Sequence, residues 1–166
     1  MRLGVDAESF FNHLVESIAY DYEQALGKKL GRARLKKGLT YQKKLHAKVG
    51  KGALTTKVKV TELTRPATYE ATFTTSRGVN TIRYDIAEVA APDAADGPAI
   101  EVTYEEGFEG ATALMGMNQR LMSLVFSMGA KKRIKRTLRA IEAHIKDEAA
   151  QAAERETARA ADQEKE

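Results

Sequence analysis

The predicted fold rests on one stretch late in the chain, TALMGMNQRLMSLVFSMGAKKRIKRTLRAIEAHIK, residues 112–146. Its first half, up to Ala130, is apolar apart from a single charge at Arg120. Its second half opens on a basic run and then repeats aliphatic residues at steps of four, three and four, which is helical spacing. These residues are Ile134, Leu138, Ile141 and Ile145. A long helix with one strongly apolar half must pack on a large apolar surface, and the β-rich middle of the chain is the candidate.

The middle of the chain alternates apolar and polar residues with period two, which predicts strands that each bury one face. Short turns separate these segments, and proline marks one of them in Arg65-Pro66-Ala67. Consecutive strands joined by short turns predict an antiparallel sheet, with the apolar half of the last helix covering its buried face. The five predicted strands are Tyr41–Lys48, Thr55–Glu62, Tyr69–Thr74, Ile82–Ile86 and Ile100–Glu105.

The first part of the chain predicts a short strand followed by one helix. Arg2–Val5 is a short apolar run, and Asp6 after it has the character of a helix N-cap. We expect the helix to begin at Ala7 and to end near Leu26. Gly27 then supplies the left-handed residue at which helices commonly stop.

Composition predicts one globular domain, because 43% of the 166 residues are hydrophobic and 30% are charged. The absence of cysteine excludes disulfides and thiolate chemistry, and the N-terminal residues lack the pattern of a signal peptide. We therefore expect a cytoplasmic protein. Two regions are predicted: a domain over residues 1–146, and an acidic, Ala- and Glu-rich tail over 147–166 that is a frayed helix or disordered.

Charge is distributed unevenly along the chain. Between Lys28 and Lys59 there are twelve lysines or arginines and no acid, whereas between Glu62 and Glu109 there are ten acids and three arginines. Solvated lysines on an outer strand face are the favoured interpretation of the basic stretch, and an anionic partner is the alternative.

The order of elements resembles the helix-grip arrangement of the START-like (SRPBCC) superfamily. Four local runs resemble an uncharacterised bacterial family within it: GKKL…LKKGLTYQKKL (Gly27–Leu45), RPATYEATF (Arg65–Phe73), IEVTYEEGFE (Ile100–Glu109) and KKRIKRTLRAIE (Lys131–Glu142). The resemblance implies an α+β fold in which a curved antiparallel β-sheet wraps around a long C-terminal α-helix, with an N-terminal helix after a short first strand. It also implies an apolar cavity, but no activity is transferred with it. The first strand is shorter than in that superfamily, and the tail has no counterpart there.

The inward-facing residues form the predicted binding site. Aromatic side chains with polar tips, opposed by flexible methionines, suit an apolar pocket with a few hydrogen-bonding groups. Lys43 has the same parity and is a candidate partner for a ligand carboxylate or phosphate, although lysines at such positions usually extend out to solvent. The candidate ligand-binding residues are Tyr41, Lys43, Tyr69, Phe73, Tyr84, Tyr104, Met117, Leu121, Met122 and Val125.

The sequence carries no recognisable catalytic or metal-binding motif. His13, His46 and His144 lack ligand partners at metal-like spacing, so we expect structural histidines, no metal and no cofactor. Glu105 and Glu106 are neighbours on a strand and should point to opposite faces. A buried Glu106 beside Tyr104 would be a candidate general acid, and its exposure would remove that role.

Three functions remain open from the sequence. Non-enzymatic binding of a small apolar or amphipathic, lipid-like molecule between the sheet and the last helix is favoured. The alternatives are a structural protein that dimerises and has a collapsed cavity, and an enzyme of the cyclase or hydratase kind with Glu106 or a cavity tyrosine as its acid or base. The basic run Lys131–Arg139 after an apolar segment allows peripheral membrane contact. The aromatic residues do not stand among the lysines, which argues against nucleic acid, and both a monomer and a homodimer are compatible with the sequence.

Overall fold

The computed structural model describes residues 1–31, 34–46, 53–90, 97–111 and 113–163. Within these ranges, residues 45–46, 53–54, 113–130 and 160–163 are described by their backbone element alone. The elements are β1 (Arg2–Leu3), α1 (Ala7–Leu26), β2 (Thr40–His46), β3 (Ala53–Thr64), β4 (Thr68–Thr75), β5 (Gly78–Val89), β6 (Ala99–Gly110) and α2 (Ala113–Gln163). The fold is α+β, as predicted.

The strands form one sheet in the order β1-β6-β5-β4-β3-β2, and every neighbouring pair is antiparallel. Strands β2 to β6 pair in chain order, whereas β1 returns to pair with β6. This confirms the predicted antiparallel sheet, which is curved. β6 is longer than its alternating run predicts, since pairing with β5 carries it through Gly107 to Gly110.

The register divides the sheet into an inner face, which packs against the helices, and an outer face. Directly opposed residues of antiparallel strands point to the same side. On the outer face, Lys57 and Lys59 of β3 are exposed to solvent, in agreement with the favoured interpretation of the basic stretch. The buried residues of the inner face are Leu3, Tyr41, Thr56, Val58, Val60, Tyr69, Ala71, Ile86, Ile100 and Val102.

Helix α1 begins and ends where the sequence predicts. The side chain of Asp6 accepts a hydrogen bond from the backbone N–H of Ser9 at 2.8 Å, and Gly27 ends the helix with a φ of 63°. Its apolar stripe packs into the core, where Phe10 and Phe11 are 0% and 1% exposed. Burial of a side chain of this size stabilises a fold by about 1.5–3 kcal/mol, so α1 is a principal cover of the inner face.

Helix α2 runs unbroken for 51 residues. Its predicted stripe is confirmed, because Leu138 and Ile145 are buried and Ile134 and Ile141 pack against the same core. The apolar half before Ala130, which was predicted to cover the sheet, lies outside the described side chains. The predicted boundary at 146/147 stays a prediction, and the helix continues past it as an exposed segment. Among the described residues, no helix is both long enough and apolar enough to cross a membrane.

Glu142 is a buried carboxylate on α2 that connects this helix to the beginning of the chain. Its Oε1 accepts a hydrogen bond from the backbone N–H of Gly4 at 2.7 Å, and Arg139 and Lys146 pair with the carboxylate at 3.0 and 3.3 Å. Burial acts to raise the pKa of Glu142, but the Gly4 amide and the two cations together hold the pKa below its ordinary value. The group is therefore ionised at neutral pH, with both oxygens engaged.

Replacing Glu142 with alanine should lower the free energy of unfolding by about 2 kcal/mol, because the Gly4 amide loses its acceptor. Urea denaturation followed by circular dichroism measures this loss. Glu154→Ala is the control, since Glu154 is exposed on the same helix, and it should change stability by less than about 0.5 kcal/mol. Similar losses in both variants would contradict a role for the Gly4 contact.

The same group predicts a pH dependence of stability. Because folding depresses the pKa of Glu142, its stabilising contribution is present above the unfolded value of 4.5 and is lost as the pH falls through the folded value. The wild type should therefore lose more stability than Glu142→Gln between about pH 5 and pH 3. Parallel curves for the two proteins would rule out this contribution.

Gly78 opens β5 in a backbone conformation that other residues rarely adopt, with a φ of 146°. A Cβ at this position would lie 2.1 Å from the backbone oxygen of Glu109 and 2.6 Å from Cζ of Phe108. The hairpin end of β5 and β6 can approach this closely only because residue 78 has no side chain.

Gly78→Ala should lower the free energy of unfolding by about 2–4 kcal/mol, through backbone strain and the contact with the Glu109 oxygen. Gly107→Ala on β6 is the matched control, since nothing lies within 4 Å of its Cβ position, and its effect should stay below about 1 kcal/mol. Denaturant titration of both variants gives the comparison. Equal destabilisation would show that the close approach does not constrain the sheet.

Candidate functional site on the inner face of the sheet

Three of the predicted ligand-binding tyrosines form a row across the inner face. Tyr69 on β4, Tyr84 on β5 and Tyr104 on β6 stand directly opposite one another in the strand register. The rings of Tyr69 and Tyr84 are stacked with centroids 6.2 Å apart, and those of Tyr84 and Tyr104 meet edge to face at 5.0 Å. Both arrangements are favourable for aromatic pairs, so the register brings these three residues into one cluster.

Burial decreases along this row. Tyr69 is 6% exposed and belongs to the core, whereas Tyr84 and Tyr104 are half-buried. Burial, and after it the charge of the nearby Glu106 carboxylate, raises the pKa of Tyr84 and of Tyr104. Both phenols are neutral at physiological pH and keep a hydroxyl that can donate a hydrogen bond.

A polar group lies beside the exposed end of the tyrosine row. The Tyr104 hydroxyl donates to Oε2 of Glu106 at 3.2 Å, and the Asn80 amide donates to Oε1 of the same carboxylate at 3.3 Å. Phe73 and Phe108 flank Asn80 in the register, and Phe108 is 39% exposed. We call this set the aromatic end of the inner face: Phe73, Asn80, Tyr84, Tyr104, Glu106 and Phe108.

Tyr41 and Lys43, two further candidates, are held by a residue of α1. The Nζ of Lys43 lies 2.8 Å from both carboxylate oxygens of Asp21, and the Tyr41 hydroxyl donates to Oδ2 of the same group. Lys43 also lies over the ring of Phe73, with Nζ 5.5 Å from its centroid. Both side chains point inward, but Asp21 already neutralises the lysine charge that was predicted to meet a ligand anion.

The four candidates on α2, Met117, Leu121, Met122 and Val125, lie outside the described side chains. Their role as the opposite wall of a pocket stays a prediction.

The general-acid role considered for Glu106 requires its carboxyl group to be buried on the inner face. Glu105 lies opposite Arg83 on the outer face and Glu106 opposite Ile82 on the inner face, as the alternation predicts. Both carboxylates are exposed to solvent. Because Glu106 is exposed, it does not meet the condition for the general-acid role.

The histidines connect the two helices. The rings of His13 on α1 and His144 on α2 meet edge to face, 5.3 Å apart. Burial, followed by the charge of His144, lowers the pKa of His13, although Glu16 and Glu148 act in the opposite direction. Across the described residues, no three histidine, aspartate or glutamate side chains are arranged to hold a metal ion. The side chain of His46 lies outside the description.

The basic run Lys131–Arg139 on α2 presents its charged residues to solvent, while Ile134 and Leu138 within it face the core. These apolar side chains are therefore occupied by packing. Contact between this run and a membrane stays a prediction. Because its apolar side chains are packed in the core, such a contact would rest on electrostatic attraction alone.

Three residues of this region were missed by the sequence analysis. Asp21 stands in the apolar stripe of α1, three residues after Ile18, and a carboxylate at such a position signals a buried partner. Asn80 and Phe108 lie beyond the ends of the alternating runs, so that extending the period of two along β5 and β6 would have placed both on the inner face.

Most of the chain matches one known protein family. The family model described as Domain of unknown function (DUF3284) matches residues 1–127, which include every strand and helix α1. No curated protein matches the chain. Since the match extends over most of the 166 residues, the chain belongs to the family described as Domain of unknown function (DUF3284).

Proposed function

We propose that this protein binds a small apolar or amphipathic molecule at the aromatic end of the inner face, without catalysing a reaction. One observation carries the proposal: beside the buried core, four aromatic side chains of the inner face stay partly accessible to solvent. Phe73, Tyr84 and Tyr104 are half-buried, and Phe108 is 39% exposed. Adjacent aromatic side chains that a fold leaves partly accessible are typical of a ligand site.

The chemistry of the aromatic end suits a molecule with an apolar body and a polar end. Ring faces of Tyr84, Tyr104 and Phe108 contact the apolar part. Glu106 accepts hydrogen bonds from a hydroxyl or amine of the ligand, and the Asn80 amide can donate or accept. Tyr41, Lys43 and Tyr69 then form the floor and the edge of the site rather than its polar contacts.

The opposite wall in this proposal is the apolar stretch 112–130, with Met117, Leu121, Met122 and Val125 facing the ligand in a helix-grip arrangement. The chain path supports it, because β6 ends at Gly110, two residues after Phe108, and α2 begins at Ala113. The first turns of α2 thus start beside the aromatic end. The return of β1 to β6 also supports the START-like interpretation, in which one curved sheet and the last helix enclose the cavity.

Native mass spectrometry of freshly purified protein should show a bound mass, and the uncharged dye N-phenyl-1-naphthylamine should bind saturably. Tyr104→Ala should weaken dye binding about tenfold, the effect of losing about 1.4 kcal/mol of ring contact. Tyr20→Ala is the control, because Tyr20 is 66% exposed on α1, and it should bind as the wild type does. Circular dichroism verifies the fold of both variants.

Two results would contradict the proposal. One is the absence of both a bound mass and saturable dye binding in the wild type. The other is equal weakening by the two tyrosine variants, which would mean that the dye binds without using the aromatic end.

Self-association is a second candidate, and one observation favours it. β1 pairs only with Ile100 and Glu101 of β6, so that among the described strands Thr103–Gly110 has no partner on that side. Unpaired edges promote association, although the exposed Glu105 and Glu109 on this edge oppose a second copy of the same strand. Light scattering over a range of concentrations distinguishes the two functions, since a strictly monomeric protein would exclude association.

A further inference from the structure

A concave feature that shares no residue with the aromatic end lies at the C-terminal end of α1. It is a groove of about 480 Å³ formed with the connection that leads to β2. Its apolar lining is Tyr22, Leu30 and Leu39, all half-buried. Its charged lining is Arg34, Lys36 and Lys37, all exposed. A volume of this size is in the range of small-molecule sites.

Backbone hydrogen bonds hold the wall of this groove in place. The N–H of Gly38 donates to the carbonyl of Val60 at 2.8 Å, and the N–H of Val60 donates back to Leu39 at 2.9 Å. The N–H of Leu39 also closes a turn onto the carbonyl of Lys36 at 3.0 Å. Gly38 permits the turn, since its φ of 91° is one that glycine adopts readily. Lys36 and Lys37 are thus carried on a turn whose backbone is fixed to β3.

The three cations of the groove differ in whether they form an ion pair. Lys37 pairs with Glu62 at 2.7 Å and is neutralised by it. Among the described side chains, no carboxylate lies within ion-pair distance of Arg34 or Lys36. The stretch Lys28–Lys59 contains no acid, and these two cations favour an anionic ligand.

We propose that this groove binds a soluble anionic amphiphile, with its carboxylate or phosphate on Arg34 and Lys36 and its aliphatic chain along Leu30, Leu39 and Tyr22. Arg34 suits this role because a guanidinium can hold both oxygens of a carboxylate. The shape favours a free molecule over a membrane surface. Its volume of about 480 Å³ and its three half-buried apolar side chains match the size of one small molecule. This site shares no residue with the aromatic end.

Isothermal titration with decanoate, below the concentration at which it forms micelles, tests this inference on the full chain. The wild type should bind saturably, and Arg34→Glu/Lys36→Glu should weaken binding at least tenfold. Lys57→Glu/Lys59→Glu is the matched control, with the same change of net charge at two exposed lysines on the outer face, and it should stay within twofold of the wild type. Neutral decanol should bind this groove more weakly than decanoate.

Several outcomes would overturn the inference. Equal weakening by the two double variants would show attraction to overall charge alone, and a lack of saturation would show that there is no site. Loss of decanoate binding in Tyr104→Ala with retention in Arg34→Glu/Lys36→Glu would place the anion at the aromatic end, in keeping with the proposed function. Binding to phosphatidylglycerol vesicles that depends on Arg34 and Lys36, without binding of decanoate, would assign the surface to membranes instead.

Discussion

The inner face of the sheet carries a continuous apolar area, from Leu3 on β1 to Val60 on β3, and the fold depends on removing that area from water. Each apolar side chain buried there stabilises the fold by about 1.5–3 kcal/mol. Helix α1 supplies much of the cover through Phe10, Phe11 and neighbouring residues, and the stripe Ile134–Ile145 of α2 completes the described core. The position of both helices on the sheet follows from this burial.

Hydrophobic burial does not by itself fix the orientation of a helix on the sheet. Two carboxylates in the apolar stripes of the helices supply contacts that do. Asp21 on α1 is joined to Tyr41 and Lys43 on the edge strand, and Glu142 on α2 is joined to the amide of Gly4. A displaced α1 would leave Asp21 without its partners on β2, and a displaced α2 would leave the Gly4 amide without its acceptor. Each carboxylate therefore favours one position of its helix on the sheet.

The aromatic end and the groove at the end of α1 differ in their electrostatics. At the aromatic end, the charge nearest the tyrosine row is the carboxylate of Glu106, and the rings present hydroxyl groups. In the groove at the end of α1, the charges without an ion pair among the described side chains are the cations Arg34 and Lys36, and the lining also includes three apolar residues. A molecule that suits one site is therefore a poor ligand for the other, and an uncharged dye and a fatty carboxylate can be used to examine them separately.

The sequence by itself determined the elements that depend on local contacts. A period of two placed the strands and the face to which Tyr69, Tyr84 and Tyr104 belong, and the pair Asp6 and Gly27 set both ends of α1. It also placed Ile134–Ile145 on one side of α2. These features follow from residues that are at most a few positions apart, and such patterns can be read directly.

Only the tertiary structure decided how these elements meet. β1 pairs with β6 across about a hundred residues, Asp21 rather than a ligand neutralises Lys43, and Gly4 binds Glu142 from the other end of the chain. The groove combines Tyr22 of a helix with a turn fixed by Val60 of a strand. No local pattern encodes these contacts, because each depends on the packing of helices against a completed sheet.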